Sequence, residues 1–527
     1  MSKVTTAMEA VENIADNAVV AVNSSSGLCC PDAILKALGE RFSRTRSPSN
    51  LTMIHPIAAG DMFGTKGVDH IALPGCIGTI IGGSYPSGPT HAEPPLIWQR
   101  ITENTVKAYN LPSGIIFDML REGAGLRPGV LTKVGLETFV DPEQEGAAMN
   151  AAARAAPIVR RETFDGDEWL YFPALSPDIA MIRATTSDQR GNLSFESEGA
   201  YLGAMEMALA AHNTGGKVIA QVRHIAKHGS LRPHDVRIPG ILVDSVVAVP
   251  DMLQTTETAY DPAISGELIR PLDSFTLPEF GVQKIIARRV AQNLKTGWVV
   301  NIGFGVSANV PRILLEEGLH GAVTWVIEQG GVGGIPLGGF KFGCTANAEA
   351  FVASPEQFTY FQSGAFDCAL LSFLEIGVDG SVNVSRLPST PHRTAGAGGF
   401  VDITARASRI IFSGTFNAGA RMHIDNGKLV IDKEGHTSKL VKSVNQVSFS
   451  GRRARELRQR VTFVTERCVI ELIDGTLTVT EIAPGIDPRR DIMAQTEGTL
   501  HMAPNPKPMD PRLFRPEKID LEPCLNR

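Results

Sequence analysis

Ala322 to Phe340 read AVTWVIEQGGVGGIPLGGF: one carboxylate, Glu328, ends an apolar run of strand composition, and a glycine-rich, almost uncharged segment follows it. A short apolar run bounded by glycines predicts a buried strand. The glycines after it let backbone amides approach a reacting group more closely than side-chain-bearing residues would. A carboxylate held at the mouth of such a strand loses water on several sides and becomes a better nucleophile. Alone, E-Q-G-G reads better as an ordinary acid on a surface turn. The rest of the chain shifts that balance.

Just upstream, TGWVVNIGFGVSANVPRILLEEG reads as strand, glycine turn and helix, and it echoes NAVVAVNSSSGLCCPDAILKALGERF near the N-terminus. Val19-Val20 match Val299-Val300, Pro31 matches Pro311 and Ile34-Leu35 match Leu314-Leu315, always 280 residues apart. A fixed offset of this kind is the mark of an internal duplication. A second pair agrees. AMIRATTSDQRGNLSFE, a helical stretch and the strand KVIAQV in the first half correspond to LSFLEIGVDGSVNVS, DITARASR and IIFSGTF in the second. Strands alternating with helices predict an α/β fold with mostly parallel sheets. We therefore expect two pseudo-symmetric open α/β domains, residues 1–250 and 281–527, joined by an extended linker at 251–280. A ligand would lie between the halves, at the carboxyl ends of the strands.

The ends of the chain are plainer. Thr6 to Ala15 has helical spacing. From Gly419 the pattern turns to short strands, MHIDNGKLVID, VNQVSFSG and RVTFVTERCVIELIDGTLTVTEI, with hairpin signals at Asn426-Gly427 and Asp474-Gly475. The proline-rich tail after Met502 reads as a surface wrap. The basic run Arg452 to Arg460 reads better as a solvated or subunit-contact face than as a phosphate site, although a CoA-type ligand would suit it.

Composition excludes several classes. A formal net charge of −6 is not a nucleic-acid footprint. No apolar run reaches membrane-spanning length, and the N-terminus lacks the apolar stretch of a signal peptide. Seven cysteines without a C-x-x-C pair read as reduced, mostly packed thiols of a cytoplasmic protein. The histidines are scattered, and His224 and His228 lack an acidic helper, so no metal site is expected. A G-x-S-x-G elbow is absent. One motif competes with the nucleophile reading: Gly303, Gly305 and Ala308 follow a strand and open a helix, a G-x-G-x-x-A dinucleotide fingerprint in which Glu328 would hold a ribose. Against it, the sister turn carries Ser24, Ser25, Ser26 and Gly27, and amides at a helix N-terminus serve an oxyanion as well as a phosphate.

Taken together the residues resemble a known family. VVNIGFGVSANVP, VIEQGGVGGIP, SVNVSRL, GAGGFVDI, IIFSGTF and EIAPGID in the second half, with RPGVLTKVGLETFVDP, IRATTSDQRGNLSFE and VRIPGILVDSVVAVP in the first, are similar to the class I coenzyme A-transferases, in their fused-subunit acetate/propionate branch. The resemblance implies a ping-pong reaction on Glu328 through a glutamyl-CoA thioester, with CoA as substrate and no metal or redox cofactor. It implies CoA and oxyanion contacts from Gly303, Gly305 and Val306, and from Gly396, Gly398 and Gly399. Asn383 either faces the pocket or is a turn residue. The implied partners are an acyl-CoA, small carboxylic acids such as acetate, and other copies of the chain in a homo-oligomer, often a tetramer. Three segments depart from the branch: NSSSGLCC, IGGSYPSGP where a His-Trp pair usually follows the two glycines, and QSGAFD (Gln362 to Asp367). They leave the acid substrates open. They also keep acyl-CoA hydrolysis on the same glutamate as an alternative, should the altered pocket admit water.

Overall fold

Two strands of apolar, β-branched composition, Val19–Val22 and Val299–Ile302, each stand inside a separate sheet, and in each every residue after the first is buried. In both, a carboxylate anchors the strand at its start: Asp178 accepts the Val19 N–H at 2.8 Å, and Asp367 accepts the Val299 N–H at 2.8 Å. This computed structural model describes residues 2–61, 64–87, 94–498 and 500–526.

The first sheet runs in the order Val4–Thr5, Ser245–Ala248, Lys217–Ala226, Ile179–Asp188, Val19–Val22, Leu51–His55, Ile77–Gly82 and Lys107–Asn110, every neighbour parallel. The second repeats its middle: Arg460–Val464, Arg409–Ser413, Cys368–Ser372, Val299–Ile302 and Thr324–Val326, again all parallel. The order of the duplicated strands is thus the same in both halves. Antiparallel strands extend the second sheet, Gly331–Val332 and Ala350–Phe351 on one side, Cys468–Ile473 and Thr476–Ile482 on the other. Buried strands of this kind need apolar residues on both faces, which is why they read as continuous runs rather than alternations.

One apolar core spans the two halves. The rings of Phe117 and Phe358 stand 6.0 Å apart across the junction, both buried. A second, smaller core packs the helix Asp32–Thr45 on the outer face of the first sheet through Ile34, Leu38 and Phe42. The stretch 251–280 contains only one helical turn, Leu272–Ser274. It is tied down by Arg183, whose guanidinium pairs with buried Glu198 at 2.7 Å and donates to the Gln254 carbonyl at 2.8 Å.

Three expectations are corrected. The N-terminal helix is shorter, Ala7–Val11: Thr6 caps its start in a reciprocal box with Glu9, as the spacing suggests, but it ends at its C-cap Glu12 rather than at Ala15. VNQVSFSG forms no strand; only Phe449 bridges to Val382, and Gln446 and Ser448 spend their side chains on Ser385. The tail opens as an edge strand, His501–Pro508, parallel to Thr476–Ile482. Its prolines are accommodated there because an edge strand has no outward partner to donate to. The hairpins at Asn426-Gly427 and Asp474-Gly475 form as read. Among the described residues no helix is long and apolar enough to cross a membrane, and no group of three or more His, Cys, Asp or Glu side chains is placed to hold a metal.

Candidate active site

The strand Thr324–Val326 ends with Trp325 and Val326 buried, and the chain then reverses at Glu328-Gln329-Gly330 into the antiparallel strand Gly331–Val332. The reversal needs glycine at 330. Its φ is +104°, and a Cβ there would collide with the Val352 carbonyl. Glu328 therefore stands at the tip of a tight turn at the carboxyl end of the sheet, half-buried.

Its two oxygens are treated differently. Oε2 accepts the Gly399 amide N–H at 3.1 Å, and Oε1 accepts Nε2 of Gln329 at 3.2 Å. Removal from water pushes the carboxyl up to about 7, and those two donors hold it from going higher. Gln329 Nε2 also donates to Ser25 Oγ, from the first half, at 3.2 Å. So the NSSSGLCC segment reaches the Glu328 turn through Ser25.

Gly399 caps the start of a short helix, Phe400–Thr404, and its amide is aimed at the carboxylate. Glycine is obligatory there, because a Cβ would collide with Glu328 Oε2 and the Phe358 ring. The loop before it is gripped by the first half. Tyr85 N–H donates to the Ala395 carbonyl at 2.6 Å, Gly398 N–H to the Gly83 carbonyl at 2.8 Å, and Ser113 N–H to the Gly398 carbonyl at 3.0 Å. Asn110, buried at the end of its strand, accepts from Ala397 N–H at 2.9 Å and donates to the Gly83 carbonyl at 2.6 Å. Gly396 has φ +92° and faces the Asn110 side chain. The IGGSYPSGP segment is thus a cradle for GAGGF, as far as Ser87; Gly88 and Pro89 lie outside the described residues.

The other residues read from the sequence stand apart from this contact. Gly303, Gly305 and Val306 form the turn after Val299–Ile302, the strand beside Glu328's own, so both turns leave the same end of the sheet. Gly303 N–H donates to the Leu370 carbonyl at 2.8 Å, and Gly305 has φ +113°. Between them Phe304 is 65% exposed, its ring edge-on to Phe342 at 5.3 Å. Among the described residues no hydrogen bond joins this turn to Glu328. Asn383 is buried and fully engaged: its amide donates to Glu375 and to the Arg386 carbonyl, each at 2.8 Å, and accepts from the N–H groups of Ser385 and Arg386. It organises a turn. The basic run forms the helix Gly451–Glu456, from which Arg452 pairs with Glu137 of the first half at 2.6 Å.

Sequence reasoning missed Asn110 and His55. Asn110 sits in KAYNLPSG, where a polar residue closing an apolar strand was the available signal. His55 closes the strand Leu51–His55, wholly buried, with its ring edge-on to Tyr85 at 5.2 Å. Burial pushes it down to about 4, so it is neutral at pH 7.

The family described as Coenzyme A transferase matches residues 4–249. Over 536 residues, 100% of each chain, the protein is 38% identical to a caffeate CoA-transferase of Acetobacterium woodii. It is 36% identical to the acetate CoA-transferase YdiF of Escherichia coli (strain K12), over 97% of this chain and 95% of that one. The crystal structure of the YdiF apoenzyme from E. coli O157:H7 superposes with a TM-score of 0.91 at 34% identity, covering 98% of this chain and 97% of that one. A YdiF thioester complex with CoA gives 0.89. Full-length agreement of this order displaces the dinucleotide reading of the Gly303 turn. The chain belongs to the fused-subunit class I coenzyme A-transferases and is a CoA-transferase enzyme.

Proposed function

We propose that the enzyme moves CoA from a short-chain acyl-CoA to an acceptor carboxylate such as acetate, by a ping-pong mechanism with Glu328 as nucleophile. The observation that carries this reading is a half-buried carboxylate on a glycine turn, with the Gly399 N–H on one oxygen and the Gln329 amide on the other. A Glu328 oxygen attacks the thioester carbonyl carbon, the C–S bond breaks, and CoA leaves as its thiolate, with a mixed anhydride left on the enzyme. The thiolate sulfur then attacks the glutamyl carbonyl carbon. That carbonyl opens to an oxyanion and collapses with loss of the donor carboxylate, leaving glutamyl-CoA. An acceptor carboxylate reverses both steps.

The geometry suits the second attack. Negative charge develops there on a glutamyl oxygen, where the Gly399 amide already lies, so no reorganisation is needed when the charge appears. Exchange of one thioester for another is close to thermoneutral, so positioning and water exclusion carry the rate. The Gly303-Phe304-Gly305 turn and Val306 would flank the CoA, from the adjoining strand end. The chemistry calls for no metal or redox cofactor. The seven unpaired thiols, six of them buried, suit a cytoplasmic enzyme, and we read it as a homo-oligomer.

Borohydride tests the intermediate. Wild-type enzyme treated with acetyl-CoA and then borohydride should lose CoA exchange into carboxylic acids irreversibly, since the enzyme-bound thioester is reduced to an alcohol. Enzyme given borohydride alone should be unaffected. Equal survival in both samples would contradict the reading, and CoA release without exchange would mark a hydrolase instead.

A further inference from the structure

Three residues beyond Gly399, in the same short helix, Asp402 is a carboxylate with no exposed surface. A helix of five residues does not hold its own first turn in place, since isolated helices of this length are unstable in water. The contacts of Asp402 supply what is missing. Its Oδ2 accepts the Gly114 N–H of the first-half helix Ser113–Ala124 at 3.0 Å, and its Oδ1 accepts Nε2 of Gln362, in the helix Ser354–Ser363, at 3.0 Å. The same Gln362 nitrogen donates to Asp118 of the first-half helix at 3.3 Å. Three helices, from both halves, meet on one carboxylate. The space is fitted to it: a Cβ on Gly114 would stand 2.6 Å from Asp402 Oδ1 and 2.8 Å from Gln362 Nε2.

Such a site is costly to build. Burial pushes Asp402 up to about 8, with the charges of Asp118 and Glu328 adding to it, and pushes Asp118 up to about 6. An apolar residue would fill the same volume more cheaply. The hydrogen bonds, rather than the charge, give the carboxylate its use.

We propose that Asp402 is a positioning residue: by clamping the first turn of Phe400–Thr404 onto Ser113–Ala124 and Ser354–Ser363, it keeps the Gly399 N–H on the nucleophile through both half-reactions. It acts through Gly399 and touches no substrate. The proposal rests on Glu328 being the nucleophile.

Two substitutions separate clamp from charge. Asn at 402 still offers an oxygen to Gly114 N–H, and its amide meets Gln362 Oε1 once that amide turns over. Ala offers neither. In steady-state CoA exchange, Asp402→Ala should lower kcat per folded molecule about a hundredfold, with KM for acetyl-CoA changed less than about threefold, and Asp402→Asn should stay within about fivefold of wild type. Gln362→Leu, which cuts one arm from outside the helix, should cost about tenfold. Folding is read by circular dichroism, and if Asp402→Ala does not fold, the Asn and Leu variants decide. The clamp is overturned if Asp402→Ala keeps its kcat, if Ala and Asn are equally impaired, if the loss lies in KM alone, or if Gln362→Leu is unimpaired. A CoA adduct on wild-type Glu328 is measured alongside. Its absence would remove the nucleophile reading, whereas its presence beside a fully active Asp402→Ala would remove only the clamp.

Discussion

The two halves place different residues at one position. Val19 pairs with Thr52, and its counterpart Val299 pairs with Thr324. Four residues on from each partner stand Pro56 in the first half and Glu328 in the second. Strand order, parallel pairing and the anchoring aspartate are shared, but one strand end carries a carboxylate met by the Gly399 amide and the other a proline whose carbonyl accepts from Ser113 at 2.7 Å. On the proposed reading the same scaffold occurs twice, with the chemistry in one copy and the other forming the wall that holds the GAGGF loop. That reading puts function in the turns at the strand ends.

The comparison breaks most readily at Glu328. Glu328→Gln should lower kcat by at least about 10⁴-fold, as loss of a covalent nucleophile does, whereas Pro56→Ala should leave the enzyme able to form its adduct. Next comes the contact itself. Gly399→Ala drives a Cβ into Glu328 Oε2 and the buried Phe358 ring and should cost about 10²–10³ in kcat, the range for a lost oxyanion donor, together with about 1–3 kcal/mol of stability from overpacking at the ring.

The first half's grip ranks third. Asn110→Ala strips the Ala397 N–H and the Gly83 carbonyl of a buried partner and should destabilise the protein by about 2 kcal/mol in a urea titration, slowing exchange as the loop loosens. The smallest effect belongs to the basic run. Arg452→Ala removes a pair whose arginine is mostly exposed and should cost under about 1 kcal/mol, without changing KM for acyl-CoA.

A pH measurement sharpens the difference between the strand ends, because only one carries a titrating carboxyl. Glu328 is raised from 4.5 to about 7. Between those values the folded enzyme keeps a proton that the unfolded chain has released, so the stabilisation present below pH 4.5 is lost as pH rises through 7. Glu328→Gln should therefore gain about 1–2 kcal/mol of stability relative to wild type at pH 8 compared with pH 5. The acidic limb of kcat/KM should fall near pH 7 in wild type.

Much of this was legible because it is local or repeated. The apolar run, the E-Q-G-G turn and the 280-residue echo lie in short windows, and the two hairpins announce themselves by Asn-Gly and Asp-Gly. The rest depends on contacts with no short-range signature. Ala397 meets Asn110 across 287 residues, and Asp402 meets Gly114 across 288, so neither periodicity nor turn chemistry points to them. VNQVSFSG misled because its alternation fits a strand, while its polar residues are spent bracing Ser385. Asn383 shows the same limit from the other side: a polar residue beside a motif can be wholly consumed by its own turn.

The most direct measurement is peptide mass spectrometry of enzyme incubated with acetyl-CoA in the absence of acceptor, with Glu328→Ala as control. The account predicts CoA in thioester linkage on the peptide carrying Glu328 and none in the variant. An adduct on another residue, or exchange into carboxylic acids that persists in Glu328→Ala, would contradict it.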